Sequence, residues 1–202
     1  TWKSTGLVTY TYFAGGTYFT MGAYLGWFNV INVGVLDDGV IGVGEIKYWG
    51  GPGCGHSSAA YWGALFYFIG ALLFQLAVLV PLVTSHPPPM GVALFEWLPQ
   101  SLGGACFTAA ALIEWNHNRH ADWSTNVWWL CVTYLIGSML FWVAATAGLY
   151  KSLVPMDLRS EEIVAVWLVD FPYAIGSMFF WVGAWVQMQM WKGAFARIEL
   201  AH

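Results

Sequence analysis

Charged side chains are scarce in this sequence. Its 202 residues include 7 lysines and arginines and 11 aspartates and glutamates, which is 9% of the chain. Soluble domains carry about 25% charged residues, so this chain has too few charges to cover the surface of a globule. No charged residue occurs from Ser4 to Leu36, and a second gap lies between Lys47 and Glu96. Because an uncharged apolar run of about 18–20 residues can cross a bilayer, the sequence predicts an integral membrane protein.

Basic residues and cysteines are also few. The net charge of −4 argues against nucleic acid as a partner, because nucleic-acid binding needs a basic patch. The three cysteines cannot all pair within the chain. Two of them, Cys106 and Cys131, lie inside apolar segments, where a thiol usually packs as a small apolar group. The sequence therefore predicts no disulfide framework.

Aromatic residues, in contrast, are abundant. The chain has 14 Trp, 10 Tyr and 13 Phe, which together make up 18% of its residues. Trp and Tyr favour the boundary between lipid tails and headgroups, because one end of each ring is apolar and the other forms hydrogen bonds. We therefore expect many of the tryptophans to mark helix ends.

A short motif recurs five times along the chain. The copies read GGTYFTMGAY, GALLFQLAVL, GGACFTAAAL, GSMLFWVAAT and GSMFFWVGAW. Each has Gly, a small residue, two free positions, Phe, two free positions, and then Gly or Ala. The Gly, Phe and final small residues are Gly15, Phe19 and Gly22; Gly70, Phe74 and Ala77; Gly103, Phe107 and Ala110; Gly137, Phe141 and Ala144; and Gly176, Phe180 and Gly183.

The spacing of this motif places its residues on one face of a helix. At 100° per residue, the motif positions fall within an arc of about 120°. Helices in lipid associate through close approach at small residues, so we expect the glycines and alanines to pack helices together and the phenylalanines to meet near the bilayer midplane. Apolar helices contain these residue types in any case, and a single copy would arise by chance. Five copies, one for each apolar segment, favour a true repeat.

The predicted fold is a single all-α transmembrane domain covering residues 1–202. It consists of about five helices built from the degenerate repeat, with a Gly-rich loop at 34–60. The predicted spans are 7–33, 61–82, 97–115, 126–150 and 172–191. Asp170 before Pro172 indicates a capped start of the last helix, and a longer, bent helix is the alternative. Basic residues are divided almost equally between the two predicted sides, so the membrane orientation is not predicted.

Two of the copies carry a family resemblance. The pattern Gly-Ser-x-x-Phe-x-x-Ala/Gly at Gly137–Ala144 and Gly176–Gly183 resembles the short membrane-helix repeats of YrhK-like proteins. The segment GGACFTAAALIEW, which includes Glu114, resembles them as well. These are uncharacterised multi-pass proteins of bacteria and algae, so the resemblance implies architecture and carries over no activity. The long first loop and the additional tryptophans depart from the family pattern.

Polar residues in two predicted loops could form a metal site. The loops after the first and third helices lie on the same predicted face of the membrane. They bring together one thiolate and three imidazoles, from Cys54, His56, His117 and His120, and such a set suits tetrahedral zinc. The spacings match no strong zinc signature. The alternative is that the histidines are interfacial polar residues and that Arg119 faces lipid headgroups.

Glu114 is the carboxylate closest to a predicted span. A carboxylate in a membrane segment is a functional candidate for proton relay or ligand binding. The alternative is that Glu114 reaches water or pairs with Arg119. Gln75, Gln187 and Gln189 lie in or at the ends of predicted helices, where amides can bridge neighbouring helices.

Three functions remain open from the sequence. The first is a non-enzymatic accessory or structural subunit of a larger membrane complex, surrounded by lipids and other membrane subunits. A pigment-associated complex of the photosystem or light-harvesting type, in a thylakoid membrane, fits the aromatic surface, since chlorophyll and carotenoid pack on such rings. The candidate chlorophyll ligands are His86, Glu114, His117 and Gln187. The alternatives are a small-molecule or ion transporter and a metal-dependent membrane enzyme.

Overall fold

A computed structural model describes residues 2–32, 46–51, 58–84 and 89–199. Within these ranges the regular secondary structure is entirely helical, with no strand. The helices are α1 (Trp2–Ile31), α2 (Ser58–Val83), α3 (Pro89–Val92), α4 (Leu98–Asn118), α5 (Asn126–Leu153), α6 (Leu158–Ile163) and α7 (Phe171–Glu199). Most of the predicted Gly-rich loop at 34–60 lies outside the described residues.

Two π-helical segments join the shorter helices to the longer ones. Ala93–Trp97 connects α3 to α4 without a break, and Val164–Asp170 connects α6 to α7. The described chain therefore has five long continuous helices, which we call rods: α1, α2, α3 with α4, α5, and α6 with α7. Three segments, Ser58–Val80, Asn126–Leu153 and Leu158–Met190, are long and apolar enough to cross a membrane.

Prolines explain the position of both π segments. Pro99 and Pro172 each follow a π segment after one further residue. Proline has no N–H to donate, and its ring clashes with the carbonyl four residues earlier. In both helices the residue before the proline, Leu98 or Phe171, donates its N–H to the carbonyl five residues earlier. The wider turn lets each helix continue through its proline instead of breaking.

The interpretation of Asp170 as a helix cap is wrong. Asp170 is the last residue of the π segment, and helical backbone continues on both sides of it. An N-cap requires an extended backbone before the first turn, and the chain here is already helical from Leu158. The last rod is therefore the longer helix that the sequence left as an alternative.

The helices pack in the order in which they follow along the chain. The extensive contacts are α1 with α2, α2 with α4, α4 with α5, and α5 with α7. The outer helices α1 and α7 approach each other through the rings of Phe19 and Phe180, whose centroids are 5.9 Å apart. This order places all five copies of the predicted motif around one centre.

Side-chain caps define two helix starts. The hydroxyl of Thr125 accepts a hydrogen bond from the N–H of Trp128 at the start of α5. The carboxylate of Asp157 accepts one from the N–H of Ser160 at the start of α6. Hydrogen bonds from Ser160 hold the pKa of the exposed Asp157 carboxyl below its usual range. Both residues have the extended backbone typical of an N-cap.

Residues 46–51 are fixed against the carboxyl end of α1. The fully buried Asn32 amide donates to the carbonyl of Lys47 at 2.8 Å and accepts from the Lys47 N–H at 2.8 Å. The ring of Trp49 meets that of Trp27 at 4.7 Å, and the hydroxyl of Tyr61 donates to the carbonyl of Gly50. These bonds satisfy backbone groups that a membrane-facing loop would otherwise leave unpaired.

Candidate functional site

The five motif phenylalanines form one connected cluster of rings. Phe107, which is 1% exposed, lies at its centre and contacts the rings of Phe19, Phe74 and Phe180 at centroid distances of 5.5, 5.3 and 6.0 Å. Phe141 contacts Phe74 at 5.6 Å and Phe180 at 5.2 Å. Most of these pairs are edge-to-face or tilted, arrangements in which aromatic rings attract each other. The cluster joins α1, α2, α4, α5 and α7.

Gly70 of α2 and Gly103 of α4 face each other in a reciprocal contact. A methyl group added to Gly70 would lie 2.7 Å from the ring of Phe107 and 2.9 Å from the Gly103 carbonyl oxygen. One added to Gly103 would lie 2.6 Å from the ring of Phe74 and 3.0 Å from the Gly70 carbonyl oxygen. Each glycine therefore leaves room for the phenylalanine of the opposite helix.

Gly137 of α5 and Gly176 of α7 repeat this arrangement. A methyl group on either would lie 3.1 Å from the carbonyl oxygen of the other glycine. The ring of Phe180 covers Gly137 and the ring of Phe141 covers Gly176. Gly183 packs against the ring of Tyr134 on the same interface. The two helix pairs thus use the same residue types at the same spacing.

The alanines at the last motif position lie inside the bundle. Ala77, Ala110 and Ala144 are each 0% exposed. A buried alanine keeps neighbouring backbones close, as a glycine does, and adds one methyl group of packing.

The motif copy in α1 departs from the predicted packing. A methyl group added to Gly15 or Gly22 would meet no atom of the described chain within 4 Å. The prediction that these two glycines pack against a neighbouring helix is therefore wrong for the single chain. Phe19 follows the prediction only in part, because it joins the ring cluster and yet remains 41% exposed. With five copies that pack in pairs, one copy is left over.

Two tyrosines bridge the helix pairs beside the ring cluster. The hydroxyl of Tyr67 on α2 donates to the Glu114 carboxylate of α4 at 3.4 Å. The hydroxyl of Tyr134 on α5 donates to the Gln187 amide oxygen of α7 at 3.0 Å. The two tyrosine rings contact each other at 5.9 Å, so the two polar pairs are adjacent. We call these four residues the tyrosine cluster.

The two polar pairs occupy equivalent positions in the motif. Tyr67 and Tyr134 each precede the motif glycine of their helix by three residues, and Glu114 and Gln187 each follow theirs by eleven. Sequence reasoning missed both tyrosines. The signal that could have found them is the pair of segments YFIGALLF and YLIGSMLF, in which the motif extends backwards to include a tyrosine.

Glu114 differs from the other three residues of the tyrosine cluster because its side chain is a carboxylate. It is partly buried, its side chain contacts Gly63, and its carbonyl oxygen accepts a hydrogen bond from Asn118. The predicted alternative of pairing with Arg119 is not the arrangement seen, since the Arg119 guanidinium donates to the ring of His120. A carboxylate can bind a proton or a cation at this position, whereas a side-chain amide does not ionise.

The structure describes only some of the other predicted ligands. Cys54, His56 and His86 fall outside the described residues. His117 and His120 are exposed near the carboxyl end of α4. Among the residues that the structure describes, no group of three or more His, Cys, Asp or Glu side chains is placed to hold a metal ion.

The prediction that glutamine amides bridge helices is confirmed at two positions. Gln75 of α2 donates to the hydroxyl of Thr17 on α1 at 3.0 Å. Its buried amide oxygen has no hydrogen-bond partner in the described chain and lies against Gly16. Gln187 provides the second bridge through Tyr134.

Comparisons with known proteins add no assignment. No protein-family model, no curated protein and no solved structure matches the chain. The geometry of the ring cluster, the glycine pairs and the tyrosine cluster therefore carries the functional argument.

Proposed function

We propose that all five rods cross the membrane and that they arise from five copies of one motif. The support is physical: the same spacing of Gly and Phe produces the same reciprocal contact in α2–α4 and in α5–α7. The 30 residues of α1 exceed the roughly 20 needed to span a bilayer. The matching positions of the two prolines, two tyrosines and two glycine pairs favour a duplicated two-helix unit, with α1 as the odd copy.

We propose that the protein is a non-enzymatic accessory subunit of a larger membrane complex. The observation that carries this proposal is the open face of α1 at Gly15 and Gly22. In the other four copies a glycine receives a phenylalanine from another helix, while Gly15 and Gly22 meet no described atom. Because small residues in lipid promote close helix contact, this face of α1 fits a transmembrane helix of another subunit. Tyr12 and Tyr18, 68% and 76% exposed, flank it.

The closed centre of the bundle is consistent with a scaffold role. Five phenyl rings fill the region where the described helices meet. Conduction requires polar groups or a gap in that region, and aromatic packing supplies neither. The rings instead stabilise one fixed arrangement of the helices.

A pigment-associated complex, of photosystem or light-harvesting type in a thylakoid membrane, is the more specific form of this proposal. Its support is the set of aromatic side chains on the outer surface, such as Trp142, Trp181 and Trp185, which are 43%, 69% and 52% exposed. Chlorophyll and carotenoid would pack on such rings. An absorption spectrum of the complex isolated in mild detergent tests this form, and a spectrum without pigment bands would rule it out.

The tyrosine cluster favours a second candidate function, a small transporter that uses Glu114. A membrane carboxylate that accepts a hydrogen bond from Tyr67 could bind and release a proton during transport. Flux measurements in proteoliposomes test this candidate. Flux of a small molecule or ion that is lost on Glu114→Gln and kept on Gln187→Glu would make it the better account.

A further inference from the structure

The turn between α5 and α6 forms a cavity at the end of two apolar segments. The candidate span Asn126–Leu153 ends before this turn, and the candidate span Leu158–Met190 begins after it. The turn therefore lies at the membrane boundary. The cavity is open to the surface and has a volume of about 430 Å³. It is lined by residues 151–153 at the end of α5, by the turn residues 154–156 and by Glu161.

The cavity carries one positive and one negative side chain. The ammonium of Lys151 lies 3.5 Å from the carboxylate of Glu161, and the two side chains are 30% and 48% exposed. Both charges are therefore paired and still accessible. The Asp157 cap fixes the first turn of α6, and this places Glu161 opposite the last turn of α5.

We propose that this cavity binds the headgroup of a phospholipid that carries a primary ammonium, such as phosphatidylethanolamine. The lipid phosphate bonds to the Lys151 ammonium and the lipid ammonium bonds to the Glu161 carboxylate. One internal ion pair is thus exchanged for two charge-assisted pairs. Leu153, Val154 and Met156 contact the glycerol region and the start of the acyl chains.

Charge selects this lipid class over anionic lipids that carry no ammonium, such as phosphatidylglycerol. The lining has a net charge of zero, which matches a zwitterionic headgroup. An anionic headgroup would pair with Lys151 but would place its phosphate beside the Glu161 carboxylate with no ammonium to compensate.

Hydrogen bonding selects a primary ammonium over choline. An ethanolamine headgroup has three N–H donors for the Glu161 carboxylate and for carbonyl oxygens at the carboxyl end of α5, where the helix dipole favours a cation. A choline headgroup has the same charge and no N–H donor. Because only ethanolamine forms this charge-assisted hydrogen bond, we expect the cavity to bind phosphatidylethanolamine roughly tenfold more tightly than phosphatidylcholine.

Native mass spectrometry of the full chain tests the proposal. The purified protein is equilibrated in detergent with equal amounts of phosphatidylethanolamine, phosphatidylcholine and phosphatidylglycerol. We expect retained phosphatidylethanolamine to exceed each of the others by about tenfold. Equal retention of the three lipids, or preferential retention of phosphatidylglycerol, would overturn the proposal.

Two variants separate a lipid site from a purely structural ion pair. Lys151→Gln should lower the binding of both zwitterionic lipids, because both present a phosphate. Glu161→Gln should remove the preference for phosphatidylethanolamine over phosphatidylcholine, because the carboxylate that accepts from the N–H donors is gone. Arg159→Gln and Glu162→Gln, at exposed positions outside the lining, are matched controls and should leave the preference intact.

Two control measurements accompany the binding experiment: the stability of each variant and competition by the free headgroup. Thermal unfolding of each variant in detergent establishes that it is folded before lipid binding is compared. Soluble phosphoethanolamine provides the free headgroup without acyl chains. If it displaces the lipid at equal concentration, the ligand is a soluble phosphate compound and the lipid assignment is wrong. If both variants fold and keep the wild-type preference, the ion pair is structural only and the proposal fails.

Discussion

Gly70 and Gly103 lie so close together that a methyl group on either would come within about 3 Å of the other's carbonyl oxygen. The obstacle is backbone, which cannot rotate away as a side chain can. Any larger residue at either position therefore has to push α2 and α4 apart.

Substitution of Gly70 tests this contact. Gly70→Val should lower the free energy of unfolding by about 1–3 kcal/mol, the usual cost of overpacking a tight interface. Gly15→Val is the matched control, because a Cβ added at Gly15 has no described atom within 4 Å. This variant should change stability by less than about 0.5 kcal/mol. Unfolding in mixed detergent micelles measures both. Equal losses for the two variants would contradict the account.

Truncation of the central ring tests the aromatic cluster. Phe107→Ala should cost about 2 kcal/mol or more, because the cavity it leaves loses packing contacts even where lipid replaces water as the solvent. Phe19→Ala should cost clearly less, since Phe19 is 41% exposed and Phe107 is 1% exposed. The same unfolding assay compares the two, and the reverse order of effects would show that the rings do not organise the bundle.

The carboxylate of Glu114 is predicted to be replaceable by an amide without loss of the fold. Glu114→Gln keeps an oxygen that accepts from Tyr67, as Gln187 accepts from Tyr134 in the equivalent pair. Glu114→Leu removes the acceptor and should cost about 0.6–1.7 kcal/mol, the range for hydrogen bonds between membrane helices. If the amide variant were as unstable as the leucine variant, the bond with Tyr67 would not be the stabilising contact.

The cap of α6 should depend on pH. Because hydrogen bonds from Ser160 lower the pKa of the Asp157 carboxyl in the folded chain, the cap stabilises α6 above the pKa of the unfolded chain. That stabilisation is lost as the pH falls through the lowered pKa of the folded chain. The amide shift of Ser160 in a nuclear magnetic resonance titration reports this change. Asp157→Asn keeps a capping oxygen and should abolish the titration; a titration that persists in this variant would assign it to another group.

The motif could be read from the sequence because small residues and phenylalanine recur at helical spacing. That spacing predicts small residues at helix contacts, which is where Gly70, Gly103 and Gly137 lie. The open face at Gly15 could not be foreseen in the same way, because the sequence gives the number of copies and not which of them pair.

Two further features depended on tertiary structure. The bond between Tyr67 and Glu114 joins residues 47 positions apart, while the local sequence offered Arg119 as the nearer partner. Asp170 before Pro172 fits a helix start by local rules, and the same residues fit a π turn inside a continuous helix. Only the position of the preceding helical residues distinguishes the two.

Photo-crosslinking from α1 in the native membrane tests the central claim most directly. A benzoylphenylalanine in place of Tyr18, beside the open glycine face, should form an adduct with a different membrane protein, and Gly22→Leu should abolish that adduct without unfolding the chain. A probe in place of Leu76, which is exposed on α2, is the control and should form no equivalent adduct. Three results would contradict the assignment as a subunit of a larger complex. They are the absence of any adduct, adducts formed solely between copies of this chain, and an adduct that survives Gly22→Leu.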